Sequence, residues 1–355
     1  MFKKLILPIL CLAIIPSCQE DKPEIRTACD MTQSGTYLIK WETFPPLAGT
    51  VKIYESSNPD SFNLYSPVAE QDINTGFKSV FALRNLSRSY FKLVFNKKYS
   101  VVTSARVIPM EGVYNFRDLG GYYNTEKKQT CWGKLYRSST LSGATRYDKE
   151  ILDNLNIKTI IDFRTDRESY MYPSKYKAPQ VFNLPLRGNR LNLFFDKILS
   201  EEMKRGDVMV YLQDVFSFLL ENNSDYFIKM FDVLLEEKNY PILFHCSLGK
   251  DRSAIAAALI LAALEVDQDQ IISDYLLSND QINFNSLVEN ADMFTPQVQE
   301  TFTALYSAHR ETIIYSFERI VKDYGSMEKY LEDELELTPQ KREKLKHLLL
   351  YQQID

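Results

Sequence analysis

Apolar and polar positions change rhythm twice along the chain. Between residues 32 and 107, short aromatic and β-branched runs recur at 37–41, 51–54, 77–83, 90–95 and 99–107, separated by turn clusters at 44–49 and 56–60. That spacing predicts a small β-sandwich. Beyond Pro109 the texture alternates between helix and strand: helical periodicity over 147–156, a compact strand at 158–163, a buried strand at 240–244, then a helix at 253–264 that is apolar almost all round. Two such units predict a parallel sheet flanked by helices. Residues 211–220 and 226–235 read as helices covering the site of the chemistry. Asp267, with Gln270 three positions on, opens another helix, and Thr338-Pro339 opens a terminal one with Leu345, Leu348 and Leu349 on one face.

The chemistry concentrates where the 240–244 strand meets the 253–264 helix. The joining residues are His245-Cys246-Ser247-Leu248-Gly249-Lys250-Asp251-Arg252. Unpaired N–H groups of such a loop and of the helix start converge on the positive end of the helix dipole and form an anion cradle. Cys246, ringed by donors and near Arg252, is expected to ionise below the free thiol value of about 8.5 and to serve as nucleophile. Arg252 can grip two phosphoryl oxygens in a fork that lysine cannot copy. Gly249 permits a positive backbone dihedral, Ser253 is placed to donate to the sulfur, and Lys250 and Asp251 bring a cation and a carboxylate to the mouth of the loop. One of that pair can neutralise substrate charge and the other can protonate a leaving oxygen. His245, Ser247, Leu248, Gly249, Lys250 and Ser253 are therefore the candidate substrate contacts beside the catalytic pair Cys246 and Arg252. Asp162 and Arg164 fall at the carboxyl end of the 158–163 strand, the edge where ligands of open α/β sheets bind. They join the candidates at the site.

The amino terminus reads as a targeting segment. Lys3 and Lys4 precede an apolar stretch over 5–15, which ends in Pro16-Ser17-Cys18 and turns abruptly polar. This resembles a bacterial lipoprotein signal, with 1–17 removed, Cys18 lipidated, and the mature protein anchored in the cell envelope. Residues 18–31 then form a linker, 32–107 a module similar to fibronectin type III or immunoglobulin domains, and 108–355 the catalytic domain. A net charge of −5 without a basic block argues against nucleic-acid partners. Three scattered histidines offer no ligand spacing, so neither metal nor cofactor is expected. Cys29 and Cys131 are left without a role, and nothing in the sequence pairs them.

Three stretches taken in order, Asn115-Phe116-Arg117-Asp118-Leu119-Gly120-Gly121-Tyr122, Asp162-Phe163-Arg164-Thr165-Asp166-Arg167-Glu168 and the loop itself, resemble bacterial tyrosine phosphatases of the PtpB type. Asp274 to Asp280 and Tyr324 to Leu331 extend the likeness, which runs from about residue 108 to the end. The resemblance implies a cysteine-phosphatase fold with a central parallel sheet. It also implies activity on phosphotyrosine, phosphoserine or phosphothreonine, and phosphoinositides, so a phosphorylated peptide or an inositol phosphate is the implied substrate. It maps the nucleophile to Cys246, phosphate binding to Arg252, and the general acid to Asp251 or Asp162, and it makes Lys250 similar to a lysine linked with phosphoinositide acceptance. Asn115, Arg117 and Asp118 would brace the loop. Ala254 departs from the glycine common at that place. Two rival classes are a phospho-ligand binder without turnover, in which the thiol has no purpose, and a rhodanese-type sulfurtransferase, which Asp251 and the 115–122 stretch do not suit.

Overall fold

The computed structural model describes residues 22–32, 35–82, 88–188, 192–282, 287–288 and 290–352. The targeting segment, with Cys11 and Cys18, lies outside them. No helix among the described residues is long and apolar enough to cross a membrane.

Seven strands come first. β1 (Glu24–Met31), β2 (Thr36–Phe44) and β5 (Phe77–Phe81) form one antiparallel sheet, and β4 (Ala69–Asp72), β3 (Thr50–Ser56), β6 (Tyr90–Phe95) and β7 (Tyr99–Thr103) form another. Their inward side chains, Tyr37, Ile39, Trp41, Val51, Ile53, Phe91, Leu93 and Phe95 among them, build one apolar core. Trp41 lies within it and donates its indole N–H to the Ile73 carbonyl at 2.8 Å. The residues expected as a linker include a strand: in Glu24–Met31 every second side chain from Ile25 turns inward, and Cys29 is buried. Charged residues alternating with Ile25, Cys29 and Met31 hid that period from a reading that sought apolar runs.

The remainder is mixed α/β. Its sheet runs β11 (Gln180–Asn183), β10 (Thr159–Asp162), β12 (Ile242–His245), β9 (Leu135–Ser138), β8 (Arg117–Asp118), parallel except for β8. Alternate residues enter opposite cores. Leu135, Ile161, Ile242 and Phe244 join the cluster around the Arg252–Ala263 helix, whereas Tyr136, Ile160 and Leu243 pack with Ile151 and Leu152 of the Arg146–Asn154 helix. Both faces are covered, which is why these strands read as continuous apolar runs. The register sets Asp162, His245 and Ser138 side by side on the carboxyl edge. Over that edge the Arg205–Glu221 and Pro296–Tyr306 helices pack through Val208, Leu212, Val298, Phe302 and Leu305.

Candidate active site

The loop from Cys246 to Asp251 leaves β12 and enters the Arg252–Ala263 helix at once. Gly249 holds φ +70°, and a Cβ there would lie 2.5 Å from the Ser138 carbonyl carbon, so the turn needs glycine for both conformation and space. The Gly249 N–H donates to Cys246 Sγ at 3.2 Å. No acceptor among the described residues is bonded to the N–H of Ser247, Leu248, Lys250 or Asp251. The sulfur thus takes one loop N–H at a helix start, and four further loop N–H groups have no protein acceptor among the described residues, donors that an anion can use.

Arg252 is held by a residue to which sequence reasoning gave no role. Its Nη1 and Nη2 donate to Glu168 Oε2 and Oε1, each at 2.7 Å, with further bonds to the Phe163 carbonyl at 3.2 Å and Ser247 Oγ at 3.0 Å. The Ser247 hydroxyl in turn donates to Glu168 Oε1 at 2.6 Å. Burial opposes ionisation of Glu168, but Arg252 and Ser247 outweigh it and bring its carboxyl down to about 2. With both terminal nitrogens engaged, the Nε edge of Arg252, which takes no partner among the described residues, is left to meet a phosphoryl oxygen. Glu168 also closes a capping box with Thr165, and that pattern is readable from sequence. Its grip on Arg252 depends on two segments 84 residues apart.

Beneath Gly249 lies a buried charge cluster. Arg137 Nη2 donates to the Gly249 carbonyl at 2.6 Å and Arg137 Nη1 to Asp274 Oδ2 at 2.6 Å. Arg117 Nε donates to Asp274 Oδ1 at 3.1 Å, as does the Tyr122 hydroxyl at 2.9 Å. Asn115, bonded to Arg117, donates to the Gly249 carbonyl at 3.0 Å. Burial disfavours the charged form of Asp274, yet the two guanidiniums hold its carboxyl far below the ordinary range. Asn115 and Arg117 therefore brace the loop. Asp118 does not: it faces the first seven strands and pairs with Arg88.

Several expected substrate contacts take other positions. Arg164 is buried, with Nε and Nη2 on Asp162 and Nη1 on Thr140 Oγ1 at 2.8 Å and the Tyr172 carbonyl at 2.6 Å. Four of its five donors are occupied, and these bonds make it a strut between strand edge and loop. Asp162 is buried in the same pair; burial works against its charge, but Arg164 and His245 hold its carboxyl below the usual value. His245 lies under the loop with Nδ1 3.7 Å from Asp162 Oδ1, and burial lowers its pKa. Lys250 is buried and reaches Asp251 Oδ1 at 2.7 Å and the Ser307 carbonyl at 3.2 Å, so its ammonium does not stand at the open mouth. Ser253 Oγ is buried with no hydrogen-bond partner among the described residues. Asp251 and Leu248 face a small cavity of about 10 Å³ walled by Tyr211, Leu212, Leu305 and Tyr306 from the covering helices.

Cys29 and Cys131 are free thiols, each pushed up to about 12, chiefly by burial. Among the described residues no three His, Cys, Asp or Glu side chains gather to hold a metal ion.

Residues 108–351 match the tyrosine phosphatase family. A protein of Cupriavidus necator named as a tyrosine-protein phosphatase is 30% identical over 244 residues, which cover 65% of this chain and 84% of that one. The triple specificity protein phosphatase PtpB of Mycobacterium tuberculosis is 25% identical over 260 residues, covering 63% of this chain and 92% of that one. Among solved structures, the core catalytic domain of the PP-IP phosphatase SIW14 from S. cerevisiae, in complex with citrate, covers 48% of this chain and 78% of that one at 18% identity; its TM-score of 0.28 is too low to carry an argument.

Proposed function

This chain belongs to the tyrosine phosphatase family, and from that premise we propose that it hydrolyses phosphomonoesters through a phosphocysteine formed on Cys246. The observation that carries the mechanism is the loop at the helix start: the Cys246 sulfur bonded by the Gly249 N–H, further loop N–H groups without a protein acceptor among the described residues, and Arg252 held by Glu168. Cys246 Sγ attacks phosphorus, the S–P bond forms as the ester P–O bond breaks, and the leaving phenoxide or alkoxide takes a proton. Asp251 is the better placed donor. It sits in the loop, partly exposed, lining the small cavity and taking a single bond from Lys250, whereas Asp162 is tied to Arg164 by three side-chain bonds. Water then attacks phosphorus, Asp251 accepts its proton, and inorganic phosphate and the thiolate are released.

Phosphotyrosine is the favoured substrate, with phosphoserine and phosphothreonine beside it; the mycobacterial relative is named a triple specificity protein phosphatase, which supports a range wider than one phosphoresidue. A phosphoinositide or inositol phosphate is the alternative substrate; two of the three Lys250 donors are engaged, with Asp251 and Ser307. The seven leading strands read as a fibronectin- or immunoglobulin-like module. The charged, apolar, then Pro16-Ser17-Cys18 pattern supports a lipid anchor on Cys18 in a bacterial envelope.

Turnover of p-nitrophenyl phosphate tests the reading. Wild type releases phosphate, Cys246→Ser releases none, and Asp251→Asn loses about 10²-fold or more in kcat where Asp162→Asn chiefly lowers stability. Equal rates for Cys246→Ser and wild type would sink the mechanism, and a larger kcat loss for Asp162→Asn than for Asp251→Asn would reverse the acid assignment.

A further inference from the structure

Strand β8 is two residues long, and its side chains leave on opposite faces. Arg117 goes to Asp274 and Asn115 under the phosphate loop; Asp118 goes the other way and pairs with Arg88, which lies just before β6 in the leading strands. Both members of that pair are buried, the side chains being 5% and 0% exposed. Arg88 also donates to the Ala105 carbonyl at 2.8 Å and Ser104 Oγ at 3.1 Å, and its guanidinium lies 4.8, 5.5 and 5.8 Å from the ring centres of Tyr90, Trp132 and Tyr136. Tyr136 is the β9 residue paired with Asp118, and it precedes Arg137, which holds the Gly249 carbonyl.

A second arm converges on the same cluster. Arg106, shortly after β7, donates to the carbonyls of Asp118 at 3.0 Å and Gly120 at 2.6 Å, and its guanidinium lies 3.7 Å from the ring centre of Tyr122. The Tyr122 hydroxyl donates to Asp274. Two arginines from the leading segment thus reach Asp274, one through β8 and one through Tyr122, and Asp274 orients the arginine that braces the loop. An independent module joined as a spacer would not need a buried ion pair at the joint, because breaking such a pair from one side strands a charge.

We propose that Arg88 is a positioning residue for the phosphate loop, and that the leading strands are a working part of the catalytic apparatus, fixing the Gly249 turn through β8 and the Asp274 cluster. The kinetic side rests on the phosphatase reading; the conformational side does not. The test uses the full chain, far below its melting temperature, with inorganic phosphate as competitive probe and hydrogen exchange at the amides of Gly249, Lys250 and Asp251. Arg88→Met is expected to weaken phosphate binding about fivefold or more, lower kcat/KM in step, and speed exchange at those amides. Arg88→Lys, which keeps the charge beside Asp118, recovers most of both. Exchange and phosphate affinity within about twofold of wild type, with only an earlier melt, would show a joint that merely holds two units together and would overturn the proposal. If Arg88→Met does not fold, Tyr90→Phe carries the same comparison by removing one hydroxyl from the contact with Arg88 and Tyr136. Should wild type neither bind phosphate nor turn over ester, the phosphatase reading falls while exchange still judges the coupling.

Discussion

Replacing Glu168 by glutamine removes the charge that aligns Arg252 and turns one of its acceptors into an amide facing a guanidinium. The native contacts are two 2.7 Å bonds from Arg252 and one of 2.6 Å from Ser247. Depression of the Glu168 carboxyl from 4.5 to about 2 corresponds to roughly 3 kcal/mol of preference for the ionised form. Solvent reaches the 31% of the side chain that stays exposed and screens part of that, leaving about 2 kcal/mol. The expected cost at pH 7 is therefore about 4–8 °C in Tm, and up to about 30-fold in kcat/KM on p-nitrophenyl phosphate if all of it goes into aligning Arg252. The pH dependence has a defined sign. A carboxyl depressed on folding stabilises the native state above its unfolded pKa and ceases to do so as pH falls through the folded one. Wild type and E168Q should differ fully at pH 5 and above and converge between about 4.5 and 2. Denaturant unfolding across that range, with steady-state kinetics at pH 7, measures both. A kcat/KM within twofold of wild type, or a stability gap undiminished near pH 2, would refute the argument.

Arg164→Met should leave KM for p-nitrophenyl phosphate within about twofold while costing about 3–5 kcal/mol of stability by stranding Asp162, as read by thermal unfolding; a tenfold rise in KM at unchanged Tm would restore Arg164 as a phosphate ligand. Cys18→Ser should shift the protein from the membrane to the soluble fraction on cell fractionation, and retention on the membrane would remove the lipid anchor from the proposal.

The loop was legible because its chemistry is local. Strand, cysteine, glycine, arginine and apolar helix follow one another within 25 residues, and each residue type has one physical reason to be there. The α/β alternation was legible for the same reason: β10, β12 and the Arg252–Ala263 helix, buried on all sides, write their burial as unbroken apolar runs. What escaped were groups whose meaning lies across the fold. Glu168 advertises a helix cap and performs one, while its other bonds reach a loop far along the chain. Asp274 stands in a helix that the sequence predicts well, yet nothing nearby announces that two arginines from β8 and β9 meet it. Lys250 and Arg164 misled for the opposite reason. Cations beside a phosphate loop suggest ligands, and only the tertiary structure shows most of their donors turned to protein acceptors. Strand β1 was lost because its inward residues alternate with charge on a half-exposed strand.

Charges around the loop are not evenly matched. Lys250 faces Asp251, Arg164 faces Asp162, and Arg252 faces Glu168, each cation with its own carboxylate. Arg117 and Arg137 share the single carboxylate of Asp274. Burial and then the neighbouring Arg117 lower the Arg137 pKa, but only to about 10, so it stays charged at neutral pH. One guanidinium charge thus has no carboxylate of its own, directly under Gly249 and close to the Cys246 sulfur, inside a chain whose net charge is −5. Added salt screens exposed charges far more than buried ones, and a net negative charge spread over the chain does not cancel a source of attraction set so close beneath the anion. A chain that is negative in total can still draw an anion to this loop.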